Sequence, residues 1–177
     1  MTLESIIEEI LGKEGGFVDH PHDRGGPTNW GITERVAREH GFEGDMRDLQ
    51  REEAVRILES DYWYMPNLNL VSHVSMPVAV KLADMGVNMG PAFAARTLQR
   101  WLNAFNQRDP RLDTDGIIGP RTLEGLTKFV NARGADGEEV LVKAINCTQG
   151  HRYLEITEGR QTNESFIFGW MKNRVQL

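Results

Sequence analysis

Proline placement constrains this chain more than any other feature. Proline has no N–H and a fixed φ, so it suits the first turn of a helix and ends one that has already begun. Pro77, Pro91 and Pro120 each stand just ahead of apolar residues at helical spacing. Behind Pro91 these are Phe93, Leu98, Trp101, Leu102 and Phe105; behind Pro120, Leu123, Leu126 and Val130. Pro66 closes a helix holding Ala54, Ile57, Leu58, Tyr62 and Met65 on one face. Earlier, Thr33 can cap a helix running to His40 that Gly41 stops. Later stripes are Leu141, Ile145, Thr148 and Arg152, then Phe166, Ile167, Trp170 and Met171. The interruption is Gly15 to Ile32, rich in glycine and holding Pro21 and Pro27, where a loop or small hairpin is expected. The expected fold is mainly α, in two lobes joined by the helix that begins at Pro77.

Bulk properties narrow the function classes. A chain of 177 residues can bury a real core as one domain, or one domain with a small appendage. A formal charge of -6 excludes a general polyanion binder, so no nucleic-acid partner is expected. Cys147 is the one cysteine, so no intrachain disulfide is possible, and a reducing compartment is the natural reading. Its apolar helical surroundings mark it as a packing residue. Met1-Thr2-Leu3-Glu4 lacks the basic start of a signal peptide, and no stretch approaches membrane-spanning length. Synthesis in the cytoplasm, with no stable membrane insertion, is expected.

One carboxylate sits where a surface residue would not be expected. Leu3, Ile6, Ile7, Ile10 and Leu11 form a helical stripe opened by Thr2, and positions 3, 7, 10 and 14 share a narrow arc. Glu14 therefore faces the apolar side just before Gly15-Gly16, unless the helix stops short of it. Partial burial raises a carboxyl pKa by penalising the charged form. A carboxylic acid protonated near neutrality is what glycosidic cleavage needs, because the leaving oxygen must be protonated as it departs.

The segment from Glu14 to Thr33, EGGFVDHPHDRGGPTNWGIT, resembles the signature of glycoside hydrolase family 108. Tyr62-Trp63, then Ala83-Asp84 with Val87-Asn88 and Gly90-Pro91, and finally Gly169-Trp170-Met171 continue the resemblance along nearly the whole chain. The resemblance implies a lysozyme-like helical fold and N-acetylmuramidase activity on the β-1,4 bond between N-acetylmuramic acid and N-acetylglucosamine. It implies Glu14 as general acid, and its phage-type relatives suggest Asp23 and Thr28 as further catalytic residues. Asp23 could orient a water or stabilise charge on the sugar ring, or simply brace the loop. Thr28 could position that water, and Asn29 could bind substrate, or both could be turn residues. Of Tyr62 and Trp63, neighbours pointing different ways, one belongs in a core and one in a sugar cleft. Asp84 and Asn88, a turn apart with Lys81 on the same face, either border a cleft or form a buried polar brace.

A second pattern follows. Leu98-Gln99 and then Asp115-Gly116-Ile117-Ile118-Gly119-Pro120-Arg121-Thr122-Leu123 resemble peptidoglycan-binding domains. Physically, Asp-Gly makes a turn, the isoleucines plug into the core and Gly-Pro launches a helix. The expected organisation is thus a muramidase-like lobe over 1–90 and a peptidoglycan-binding-like lobe over 91–177, packed as one compact unit. Asp19, His20, His22 and Asp23 invite a metal, but no further spaced ligand pair completes a set. Asp113-Thr114-Asp115-Gly116 starts like a calcium loop without its downstream glutamate. No cofactor or metal is expected. The expected partner is bacterial peptidoglycan, reached as a monomeric phage or prophage endolysin with a holin or similar export route. The negative charge sits awkwardly with an anionic wall. The rival expectation is a catalytically silent peptidoglycan-binding or secretion-accessory protein on the same fold.

Overall fold

The computed structural model describes residues 2–13, 16–18, 26–106 and 111–175. Among these, eight α-helices and one two-stranded sheet make a mainly α protein, as the proline punctuation and apolar spacing require. No helix among the described residues is long and apolar enough to cross a membrane. The chain divides into two compact units, residues 1–65 and 66–177.

In the first unit, α1 (Leu3–Lys13) starts at a reciprocal cap. The Thr2 amide donates to Ser5 Oγ at 2.8 Å and the Ser5 amide to Thr2 Oγ1 at 3.1 Å, satisfying amides that the helix leaves free. Ile6, Ile7 and Leu11 are buried. A two-residue hairpin follows, β1 (Thr28–Asn29) pairing antiparallel with β2 (Ile32–Thr33). Thr33 caps α2 (Glu34–Glu39), accepting from the Val36 amide at 3.4 Å. Gly41, at φ 86°, ends it: Gly41 N–H reaches Arg38 O and Phe42 N–H reaches Ala37 O. That bond pair is the left-handed glycine stop expected there. A short 3-10 turn, Met46–Asp48, leads to α3 (Arg51–Glu59). Ile7, Leu11, Ile32, Ala37, Met46, Leu49, Ala54, Ile57 and Leu58 close together as the core of this unit. Each of the isoleucine, leucine and methionine side chains among them, fully buried, is worth about 1.5–3 kcal/mol.

The helix expected to run to Pro66 changes pitch first. Ser60–Tyr64 form a π-helical segment closed by Met65 N–H to Ser60 O at 2.8 Å. The wider turn takes one more residue than an α turn, so side chains beyond it leave the face of Ala54, Ile57 and Leu58. Met65, expected on that face, is instead 72% exposed, and Trp63 is buried.

The second unit comprises α4 (Leu68–Val74), α5 (Met76–Met89), α6 (Pro91–Phe105), α7 (Pro120–Gly159) and α8 (Glu164–Arg174). Ser75 caps α5, with Pro77 in its first turn. Every residue from Val78 to Gly86 is buried, the signature of a helix surrounded on all sides, and α5 packs against α4, α6 and α7. The helix at Pro77 therefore lies inside this unit and is not a connector between lobes. α7 leaves helical geometry at Gly134 (φ 59°, ψ -147°), between the two stripes read from sequence as separate helices. Two side chains depart from expectation. Ile118 enters the core, but Ile117 is 65% exposed because the Asp-Gly turn aims its neighbours apart. Cys147 is exposed, on the outer side of a helix whose buried face runs through Leu141, Ala144 and Ile145.

Candidate active site

The hairpin carrying Thr28 and Asn29 is fastened at several points. Val18 and Thr28 exchange two backbone hydrogen bonds of 2.8 Å. The turn residues Trp30 (φ 55°) and Gly31 (φ 74°) both adopt positive φ, as a two-residue hairpin turn demands. For a tryptophan that backbone is costly, on the order of 1–3 kcal/mol, and persists only where the surroundings hold it. Here the half-buried indole donates to Leu49 O at 2.9 Å. Asn29, 5% exposed, donates to Met46 O at 2.7 Å, so its amide ties the hairpin to the 3-10 turn. Thr28 is half-buried and donates its hydroxyl to Gly26 O at 3.2 Å. That leaves the hydroxyl lone pairs as acceptors.

α1 runs to Lys13, the residue before Glu14. Glu14 and Asp23 lie outside the described residues, as do Asp19, His20 and His22. Phe17, between them in sequence, packs half-buried on the core with the Arg47 guanidinium 4.4 Å from its ring centre. Among the described residues, no group of three His, Cys, Asp or Glu could hold a metal.

In the π segment the two aromatics part. Trp63 is 7% exposed, while Tyr62 is half-buried against the first unit's core. Burial, reinforced by the neighbouring Asp61 carboxylate, holds the Tyr62 phenol above its ordinary pKa, so it is a hydrogen-bond donor at neutral pH. Asp61 meets His40 Nε2 at 2.8 Å, joining the end of α2 to the π segment. That pair, 21 residues apart, and the Arg47–Phe17 contact were not foreseen; they arise from packing and leave no local sequence pattern.

Asp84 and Asn88 sit together in the second unit. Asp84 has no exposed surface. Its carboxylate accepts from Arg174 Nη1 at 2.5 Å, Lys81 Nζ at 3.0 Å and Gln149 Nε2 at 3.0 Å. Lys81 Nζ also donates to Arg174 O at 2.6 Å, so the cluster clamps α5, α7 and the end of α8. Of the two readings of this stripe, the geometry is the internal brace. Burial lowers the Lys81 pKa below its usual value, with Asp84 opposing that shift. Asn88, half-buried, donates to Asp84 O at 2.7 Å.

The Asp115-Gly116 turn is built around Gln99, itself 1% exposed. Gln99 Nε2 donates to Asp115 Oδ1 (2.8 Å) and Ile117 O (3.0 Å), and Gln99 Oε1 accepts from Gly116 N–H (3.0 Å). Gly116, at φ 84°, has Ala92 O only 3.0 Å from where a Cβ would stand. Leu-Gln and Asp-Gly are thus halves of one structural knot. Hydrogen bonds from Gln99 and then the Ile117 amide hold the Asp115 carboxyl below its ordinary range.

Residues 7–90 match the glycosyl hydrolase 108 family, and residues 93–175 match a predicted peptidoglycan domain. A glycosyl hydrolase 108 domain over residues 7–90 is thus followed by a peptidoglycan domain over residues 93–175. The protein is a peptidoglycan-related glycoside hydrolase. The family boundary near residue 90 and the packing boundary at 65/66 differ because α5 is counted with the hydrolase domain yet packs among α4, α6 and α7. The structure of SagA from Brucella abortus is similar over 97% of this chain and 88% of that one, with a TM-score of 0.63 and 26% identity. No curated protein matches the chain.

Proposed function

We propose that this protein is an N-acetylmuramidase that hydrolyses the β-1,4 bond after N-acetylmuramic acid, with Glu14 as general acid. The observation that carries this reading is the Glu14-to-Thr33 motif lying inside the span matched to the glycosyl hydrolase 108 family. Glu14 protonates the departing sugar oxygen. Asp23 orients the attacking water or stabilises positive charge on the ring, and Thr28, its hydroxyl proton already given to Gly26 O, accepts a hydrogen bond from that water. Tyr62 and Asn88 retain exposed surface and a free role at substrate; Asn29, Trp63 and Asp84 are buried and support the scaffold. The biological setting that fits is a phage or prophage endolysin, released from the cytoplasm by a holin-like route to lyse the host wall.

Two measurements test this. Glu14→Gln is nearly isosteric but cannot donate the proton, so a folded variant should lose about two to four orders of magnitude in rate. Near-parental hydrolysis by folded Glu14→Gln overturns the assignment. Mass spectrometry of borohydride-reduced digests should show reduced N-acetylmuramic acid ends. Anhydro ends would mean a lytic transglycosylase, reduced N-acetylglucosamine ends a glucosaminidase, and freed peptides an amidase.

A further inference from the structure

α6 and α7 enclose a cavity of about 150 Å³ lined by Thr97, Arg100, Trp101, Ala104 and Thr148. The four α6 residues share one helix face at spacings of three and four. The indole wall is rigid: Trp101 Nε1 donates to Thr148 Oγ1 at 2.9 Å, and Thr148 Oγ1 donates on to Ala144 O. Phe105 stacks on the same ring at 5.6 Å and does not line the cavity, so the cavity meets indole surface that Phe105 leaves open. Arg100 is exposed at the rim and has no ion-pair partner among the described residues. α6 carries Arg96 and Arg100 and no acidic residue, in a chain of net charge -6. Beside Arg100, Thr97 and Thr148 bring hydroxyls to a lining completed by the apolar Trp101 and Ala104.

We propose that this cleft is a wall-glycan subsite that takes an N-acetylated sugar bearing a carboxylate, with Trp101 as its platform and Arg100 as its anion contact. The proposal rests on the reading of the chain as a wall hydrolase. The face of a pyranose that carries axial C–H bonds is weakly positive and packs on the negative face of an aromatic ring. An acetamido methyl suits the apolar floor, and a lactyl or stem-peptide carboxylate suits a guanidinium, which binds carboxylates in a planar two-bond fork. Size decides how much enters. Pockets that engulf a drug-sized ligand run to about 300–1,000 Å³. A cleft of 150 Å³ therefore seats one sugar edge or substituent of a polymer that continues past it, as a strand of wall glycan does.

The experiment uses the full chain carrying Glu14→Gln, co-sedimented with purified peptidoglycan sacculi, so that bound wall is not digested. Arg100→Glu reverses the rim charge and Ala104→Phe fills the cleft from an exposed position. Arg35→Glu, on the 72% exposed α2 side chain, makes the same charge change in the other unit. Arg100→Glu and Ala104→Phe should each weaken binding about threefold to tenfold, with Arg35→Glu matching the parent. Thermal melting confirms that each variant is folded; should Ala104→Phe not fold, Arg100→Glu alone decides. Equal binding by the Arg100→Glu and Arg35→Glu variants overturns the subsite, as does a parent that binds no sacculi. Release of reducing ends by the unmutated chain is scored separately. A hydrolase whose binding ignores Arg100 loses this proposal and keeps its enzymatic assignment. An Arg100-dependent binder that releases no ends does the reverse.

Discussion

Asp84 shows how much a single residue holds here. It is fully buried between Lys81 and Arg174, and its removal takes away the carboxylate that both cations reach. Breaking such a buried set typically costs about 3–5 kcal/mol. Asp84→Ala should therefore lower the urea midpoint sharply, and an unchanged midpoint would remove the brace from the account of this unit. Tyr62 gives a pH test in the first unit. Its folded pKa is raised, chiefly by burial, so the stability it contributes is complete below the unfolded value near 10.0. That contribution is lost as pH climbs through the raised folded value. Phenolate absorbance of the parent minus that of Tyr62→Phe should isolate a phenol ionising above 10.0. A difference curve centred at or below that value would contradict the burial.

At the scale of elements, local chemistry carried most of the fold. Helices begin at or beside Pro77, Pro91 and Pro120 because proline's missing N–H is harmless there, and Gly41 stops α2 because it accepts positive φ. What escaped the sequence is what local spacing does not encode. The π segment keeps an apolar pattern that also suits an α-helix, so Met65 was assigned to the wrong face. Ile117 and Ile118 are alike in sequence and opposite in burial because the turn geometry, set by Gln99 from another helix, aims them apart. α7 offers a direct test of one such break. Gly134 sits at φ 59° and ψ -147°, a region closed to residues with a Cβ. Gly134→Ala should destabilise the protein by about 1–3 kcal/mol. A variant with unchanged or higher Tm would show that the helix straightens there at no cost.

For the whole molecule, the hydrolase family and the wall domain were legible because each packs several uncommon residues into one short segment. The packing boundary at 65/66 was not, because α5 is buried on every side and its own polar residues, Lys81 and Asp84, turn inward to meet Arg174. Net charge is the property that only the whole chain possesses, and it makes the last prediction. The protein carries 26 acidic against 20 basic residues and must approach an anionic wall. Like-charge repulsion acts over the Debye length, which shrinks from about 30 Å at 0.01 M salt to about 8 Å at 0.15 M. Screening over that range removes most of the long-range repulsion, while a cation seated against its carboxylate within a few ångströms is screened much less. Sacculus binding by the Glu14→Gln chain should therefore strengthen from about 0.01 M to about 0.15 M salt. Arg100→Glu should rise with salt as well, from a lower start, since it deepens the repulsion and removes the contact. Binding that falls steadily from the lowest salt would show that local attraction, not net charge, governs the encounter with the wall.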